Sequence, residues 1–465
     1  MTDLVVIGAG PAGLAAAARS AEGGLDVLLL DENPAPGGQV WRAVGEVPKD
    51  RAALLGPDYA AGMDAVARIR LSGARYRPGA TVWQLAPTGE DGAEIGYTAE
   101  GRAHLLRVPR VIVASGAQER PFPVPGWTLP GVMTAGGAQT LLKASGLAAE
   151  GAVLAGTGPL LYLLAVQYIA AGSPPAAILD TGSTTARRRA LRHLPAALMA
   201  PRLFLKGLAW RRAIHRAGVP HIEGVSTLAI EGSTRAEAVR WETEAGERGR
   251  IETPHVLLHQ GVVPSVNLTM AAGLAHDWHD ARLCWEPRLD RWGLSSAPAI
   301  HVAGDGGGVE GWEAATARGE LAALDALYRA GLLRQSARDR AAAAPTRRRA
   351  LAGRLRPFLD ALYRPAPQFL VPAAPDTVVC RCEEITAGTL LPLIDNGLLG
   401  PNQLKSFSRA GMGPCQGRFC GLTVQATIAA RTGQSMAETG YYRLRPPVKP
   451  VPLGAFADME VAGGN

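Results

Sequence analysis

The stretch Leu4-Val5-Val6-Ile7-Gly8-Ala9-Gly10-Pro11-Ala12-Gly13, running on to Asp31-Glu32, decides how the rest of the chain is read. A short apolar run ends abruptly in glycines, an alanine-rich segment of helical length follows (14–21), and a second apolar run (27–30) ends in two acids. This is a β-turn-α-β unit whose turn is built to hold a pyrophosphate. Gly8 permits the tight turn, Gly10 lets the backbone approach phosphate without an intervening Cβ, and Gly13 lets the helix pack close to the strand. Pro11 and Ala12 open that helix, whose free N–H groups point at the phosphates. Asp31, with Glu32 beside it, can accept hydrogen bonds from an adenosine ribose. Glycine turns alone are common; the strand before, the helix after and the acid at the right distance make this one a dinucleotide turn.

With 465 residues the chain is too long for one core, so two or three domains are expected. A content of 47% hydrophobic and 19% charged residues describes a globular protein and excludes a disordered one. The formal charge of +7 raises nucleic acid as a partner. The arginines, however, fall in the runs Arg187-Arg188-Arg189 and Arg347-Arg348-Arg349, without the interleaved aromatics of a base-stacking surface. Solvated or partner-facing patches are expected, and no nucleic acid. The apolar stretch 152–171 is long enough for a membrane span, but Gly156-Thr157-Gly158-Pro159 near its start argues for another strand-turn-helix. Val5 already belongs to the first strand, so no signal peptide is expected and the cytoplasm is the default. Five cysteines in such a chain argue against a disulfide framework.

Beyond Asp31, Gly37-Gly38-Gln39 can bring backbone close to a flat ring, with the Gln39 side chain as a hydrogen-bonding partner. No cysteine pair follows these glycines, which excludes dithiol chemistry at this position. Residues 75–107 read as alternating strands with polar turns. The strand Val111-Ile112-Val113 then ends in the small residues Ala114, Ser115 and Gly116, where backbone must pass a cofactor closely. A second unit repeats the first: Val153-Leu154-Ala155-Gly156-Thr157-Gly158, a helix over 162–171 that is apolar all round and therefore buried, and a strand ending at Asp180. Leu161 replaces the third glycine, so a degenerate site is expected rather than intact NAD binding, and Asp180 would repel a 2′-phosphate. Cys284 reads as a packing thiol, and 276–280 as a polar loop rather than a metal site.

The most specific signal comes late. Cys380-Arg381-Cys382 is followed by a helix-length segment and then by Cys415-Gln416-Gly417-Arg418-Phe419-Cys420. Four thiolates in this C-x-C and C-x4-C arrangement can meet at one centre, with glycines leaving room and supplying N–H groups to bridging sulfides. Zinc competes, although structural zinc sites favour knuckles with two or more residues between paired cysteines. Disulfides are the remaining alternative, disfavoured by compartment.

The first turn, Gly38-Gln39, the Ala114-Ser115-Gly116 strand end and a later Ala303-Gly304-Asp305 resemble the flavoproteins with two dinucleotide-binding domains. The resemblance implies an α/β fold of thioredoxin-reductase-like Rossmann domains, with Asp305 against the ribityl chain of FAD and the helix 312–329 facing the flavin. The cysteine pattern resembles the small helical [2Fe-2S] domain of bacterioferritin-associated ferredoxin. Together with Glu119-Arg120-Pro121, Pro130-Gly131-Val132-Met133 and the proline-rich end at 445–450, the chain resembles the FAD/[2Fe-2S] subunit of amino-acid and opine dehydrogenase complexes. These include D-hydroxyproline dehydrogenase, nopaline and octopine oxidases and hydrogen cyanide synthase.

That resemblance implies an FAD domain made of 1–117 and 264–333, a second NAD-like domain at 118–263, a linker at 334–372, a [2Fe-2S] domain at 373–440 and a proline-rich tail at 441–465. The tail's stretch Pro446 to Pro452 is expected as an extended arm on this subunit or its partner. Cys380, Cys382, Cys415 and Cys420 would ligate the cluster. A partner of D-amino-acid-oxidase type would oxidise the substrate. Further implications are FMN at the subunit interface, an external electron acceptor, a peripheral position at the inner membrane and a small ferredoxin-like subunit. No residue here is expected to do acid–base catalysis, because no compact Arg/Tyr/His constellation offers both a cation for a carboxylate and a dry flavin face. A self-contained NAD(P)H-dependent oxidoreductase is the alternative enzyme, and an iron-handling docking partner the non-enzymatic one.

Overall fold

The computed structural model of the chain describes residues 2–89, 92–198, 200–457 and 459–461. Two five-stranded parallel sheets organise it. The first runs Ile300–Val302, Val111–Val113, Leu4–Ile7, Val27–Leu30, Arg75–Arg77. Its three central strands are short runs of Val, Ile and Leu buried on both faces, as parallel strands covered by helices must be. The second runs Val132–Thr134, Val256–His259, Val153–Gly156, Ala177–Asp180, His221–Glu223. The two have the same plan except in the outermost strand. In the first sheet that strand comes from beyond the second domain; in the second it precedes the domain's own first strand. The chain therefore leaves one domain, completes the other and returns, through the paired crossover strands Ala117–Glu119 and Val262–Pro264.

Each domain also carries an antiparallel layer: Thr81–Pro87, Ala93–Ala99 and Arg102–Val108 in the first, Val225–Glu231, Ala238–Thr243 and Arg248–Glu252 in the second. The helix Pro11–Glu22 is alanine-rich because it lies between the first sheet and the helix Trp312–Arg329, where only small side chains fit. A Cβ on Gly319 would stand 2.1 Å from the Ala12 carbonyl oxygen, which measures how closely the two helices cross.

Several expectations need correction. Residues 276–280 are not a plain loop: His276–His279 is a strand paired antiparallel with Cys284–Pro287, and Asp277 pairs with Arg288 at 2.7 Å. The segment expected as a linker is helical over Gln335–Gly353, with Pro345 inside, and over Arg356–Leu362. It packs on Trp312–Arg329, where Arg338 bonds Asp325 at 2.8 Å. The arginine runs are partly neutralised within the chain, since Arg348 pairs with Glu320, Arg349 with Glu310, and Arg187 with Glu223. A third core, containing Val379, Leu390, Leu404, Val424 and Ile428, encloses Cys380 and Cys420. Among the described residues, no helix is long and apolar enough to cross a membrane.

The helix–strand contact at the first turn leaves no tolerance. A Cβ on Gly13 would stand 1.7 Å from the Gly8 carbonyl oxygen. Gly13→Val should lower the free energy of unfolding by about 1–3 kcal/mol or more, because helix Pro11–Glu22 must lift from the sheet. Urea titration of both proteins checks this, and an unchanged midpoint would contradict it.

Candidate cofactor sites

Around the first turn, several strand ends approach at backbone distance. Gly8 adopts φ +101°, and a Cβ on it would lie 2.5 Å from the Ala114 carbonyl oxygen. A Cβ on Gly38 would lie 2.8 Å from the Gly10 Cα, one on Gly304 2.7 Å from the Ala12 Cβ, and one on Gly306 3.1 Å from the Ser115 hydroxyl. Gly8, Gly10, Ala12, Gly38, Ala114, Ser115 and Gly304 thus come together at one place. At Gly10 an added Cβ would meet only the Gly38 Cα, at an ordinary contact distance of 3.9 Å. No side chain caps the helix that begins at Pro11, which leaves its first N–H groups for a ligand. Ser115 donates to the Ser265 carbonyl at 3.1 Å. Asp305 accepts from the Glu310 N–H at 3.1 Å, and burial raises its pKa.

Two side chains here are engaged differently from the sequence reading. The Gln39 side chain accepts from Thr140 at 3.3 Å, turned toward helix Ala135–Ser145. Glu32 is paired with Lys449 of the tail. The Gln39 carbonyl accepts at 2.9 Å from Lys143, a buried lysine that sequence reading missed and that also bonds Gln139 at 2.8 Å. Burial, with Arg42 nearby, holds the Lys143 ammonium down to about 7. Its position on the buried face of a helix, one turn after Gln139, was the available signal.

At the cysteine centre, the thiol of Cys420 and backbone N–H groups of Gly411, Glu383 and Cys382 hydrogen-bond Cys380, which brings it down to about 6. Cys420 is pushed well up by the same bond and by burial. Cys382 and Cys415 form a second hydrogen-bonded pair. Among the described residues, no three of the four sulfurs lie within 4.8 Å of one another. One tetrahedral zinc would need all four roughly 3.8 Å apart, given Zn–S bonds near 2.3 Å. Two adjacent pairs suit two irons bridged by sulfide. The loop carrying Cys415 and Cys420 is anchored to a crossover strand and to the first domain: Gln118 donates to the Arg418 carbonyl at 2.9 Å and Asn267 to the Gln416 carbonyl at 3.1 Å.

This arrangement has known counterparts. The chain matches the Pyridine nucleotide-disulphide oxidoreductase family over residues 2–319 and the Sarcosine oxidase A3 domain over residues 377–459. It is 47% identical to an opine oxidase subunit of Agrobacterium tumefaciens (strain Ach5), across 98% of this chain and 92% of that one. The chain belongs to this family of opine oxidase subunits. It is therefore an oxidoreductase, and its first match implies FAD. It is also 32% identical to hydrogen cyanide synthase subunit HcnB of Pseudomonas aeruginosa, over 98% of both chains. Among solved structures it is similar to L-proline dehydrogenase from P. horikoshii (TM-score 0.69, 18% identity, 98% of this chain and 79% of that one). Thioredoxin reductase of T. acidophilum is similar over 71% of this chain and 99% of its own (TM-score 0.53, 21% identity). At such identities these two speak for the fold alone, and the expected thioredoxin-reductase-like architecture holds.

The second turn of this family member keeps Gly156, Gly158 and Asp180 but differs from the first in Leu161 and in the strand end beside it. Gly156 packs on the His259 carbonyl oxygen as Gly8 packs on that of Ala114, so His259 stands where the first domain has a small alanine. The His259 Nε2 comes within 2.6 Å of a Cβ built on Gly158, and its Nδ1 lies 2.7 Å from Glu119, which accepts from the Gly136 N–H at 2.6 Å. An imidazole thus lies against the N-cap glycine of this helix. At the other end, Asp180 accepts from Tyr162 at 2.8 Å and pairs with Arg187 at 3.4 Å, and Tyr363 packs on Tyr162. Asp180, His221 and Glu223 come close enough together to hold a cation, but Arg187 and Arg211 already neutralise them. His259 was missed because it lies far from the turn in sequence; aligning His259-Gln260-Gly261 with Ala114-Ser115-Gly116 would have exposed it.

Two outcomes follow from these side chains. NAD should neither raise the thermal midpoint nor bleach the flavin, since a ligand of the native state must stabilise it; a saturable rise with NAD would show the second turn to be open. For Lys143, the folded value near 7 lies below the unfolded 10.5, so the unfolded chain binds more protons between them and stability rises with pH across that window. The midpoint of the wild type should therefore gain on that of Lys143→Met from pH 7 to pH 10, and parallel profiles would refute the buried, largely neutral amine.

Proposed function

We propose that this chain is the FAD- and [2Fe-2S]-carrying electron-transfer subunit of a multi-subunit dehydrogenase acting on an amino acid, imino acid or opine. Gly8, Gly10, Pro11, Ala12 and Gly13 would hold the FAD pyrophosphate, and Asp31 with Glu32 the adenosine ribose. Gly38, Gln39, Ala114, Ser115, Gly116, Gly304 and Asp305 would line the ribityl and flavin half. Cys380, Cys382, Cys415 and Cys420 would hold the cluster. FAD, once bound, accepts and releases electrons in pairs or singly; the cluster passes them one at a time.

The observation that carries this reading is the anchoring of the cysteine loop. Gln118, two residues beyond Gly116, fixes the Arg418 carbonyl, and Asn267, two residues beyond Ser265, fixes that of Gln416. Both anchors adjoin the bond between Ser115 and Ser265 beside the first turn. The two centres are thus neighbours held by short, polar, rigid contacts, an arrangement suited to electron relay. The residues of this chain do no acid–base work in the proposal: they bind, orient and exclude water. Relatives named as subunits of opine oxidase and hydrogen cyanide synthase support a partner that oxidises the substrate. That partner is proposed as D-amino-acid-oxidase-like, with FMN at the shared interface, an external acceptor and a small ferredoxin-like subunit completing the route. The altered second turn counts against a self-contained NAD(P)H-dependent enzyme.

Cys415→Ser exchanges a soft thiolate for a poorly ionised hydroxyl, so cluster iron should be lost while FAD content survives. In the assembled complex, substrate should still reduce the partner's flavin while turnover with an external acceptor collapses. Full turnover after iron loss would make the cysteine domain a structural clamp.

A further inference from the structure

Residues 441–449 reach from one candidate cofactor site to the other. Tyr442 lies over the cysteine loop: a Cβ on Gly417 would meet its ring at 2.5 Å, and its hydroxyl donates to the Ala410 carbonyl at 2.9 Å. Six residues on, Val448 is buried in the core of the first domain, donates its N–H to the Trp83 carbonyl at 2.8 Å and accepts from Arg418 at 3.0 Å. The expected extended arm therefore lies on this chain. Lys449 is then delivered to the acidic end of the first dinucleotide turn, 417 residues away in sequence, where its ammonium pairs with Glu32. The ammonium is partly withdrawn from water, which lowers its pKa, and it lies close enough to Asp31 for that charge to oppose the shift.

Asp31 itself has little capacity left. Its Oδ2 accepts from the Ala9 N–H, and its Oδ1 accepts from the N–H of Asn33 at 2.7 Å and from the Asn33 side-chain amide at 2.8 Å. An ionised carboxylate accepts about four hydrogen bonds, so roughly one remains for the two hydroxyls of an adenosine ribose. The unmatched hydroxyl needs a partner, and among the described residues Lys449 with Glu32 forms a flexible donor–acceptor couple at that place. Its cation also offsets the repulsion between the adjacent carboxylates and the incoming diphosphate.

We propose that Lys449 is a cofactor-binding residue, which with Glu32 holds the adenosine ribose of the dinucleotide in the first turn. The proposal rests on the reading of that turn as the FAD site. It makes the tail a clamp whose far end also borders the cysteine loop, so that one segment of chain closes over both centres.

The test is the rate of FAD release from purified full-length protein, followed by recovery of flavin fluorescence after dilution, together with the thermal midpoint of the flavin-free form. Lys449→Met should release FAD about tenfold faster, the effect expected for one lost charge-assisted hydrogen bond. Its flavin-free midpoint should match that of the wild type, because a partly exposed ion pair contributes little to folding. Lys449→Arg, which keeps the cation, should restore slow release. An unchanged release rate in Lys449→Met, or faster release accompanied by an equally lowered flavin-free midpoint, would overturn the clamp while leaving the FAD reading intact. Wild-type protein unable to bind FAD would overturn both.

Discussion

Everything in this chain depends on how closely helix Pro11–Glu22 approaches the first strand. With no side chain at Gly13, that residue rests on the carbonyl of Gly8, and the same absence at Gly319 lets helix Trp312–Arg329 rest on Ala12. The alanine-rich helix is thereby held between sheet and crossing helix, with its N-terminus at the first glycine turn. Lifting it by one methyl would withdraw its N–H groups from a phosphate and separate Gly304 from Ala12. Packing and ligand geometry at this point are one constraint.

The two Rossmann domains show what happens when the constraint is kept in one copy and relaxed in the other. In the second, Leu161 fills the interior where Gly13 lies in the first, and it is fully buried. The strand beside the turn then ends in His259 instead of Ala114, and the ribose-end acid is bound by Tyr162 and Arg187. None of this costs the domain its fold, because Val153–Gly156 and its neighbouring strands keep their buried apolar faces. The scaffold survives with larger side chains around its turn. This domain also carries helix Ala135–Ser145, which brings Lys143 and Thr140 to the Gly37-Gly38-Gln39 loop.

The rest of the chain wraps what the first domain exposes. Helix Gln335–Gly353 lies on Trp312–Arg329, with Arg338 bonded to Asp325 and set over the Trp292 ring at 4.2 Å. The cysteine domain is tied down through Gln118 and Asn267, and the tail through Val448 and Lys449. Most of these ties are polar and reach across hundreds of residues, so each cofactor position is set by segments far from its own motif.

By itself the sequence determined the local units. The glycine turns, the apolar strands, the helix Trp312–Arg329 and the cysteine spacing were legible because each depends on residues within a few positions of one another. Leu161 already marked the second turn as altered. Segment 334–372 misled, since alanine, proline and arginine runs suit either a linker or a helix whose stability comes from packing on a neighbour. Only the tertiary structure decided that His259 lies at Gly158, that Lys143 is buried under Gln39, that the four sulfurs form two pairs and that Lys449 meets Glu32. The physical reason is the same in each case: a side chain's partner across a domain is chosen by chain path and burial, and no local pattern of residues records that path.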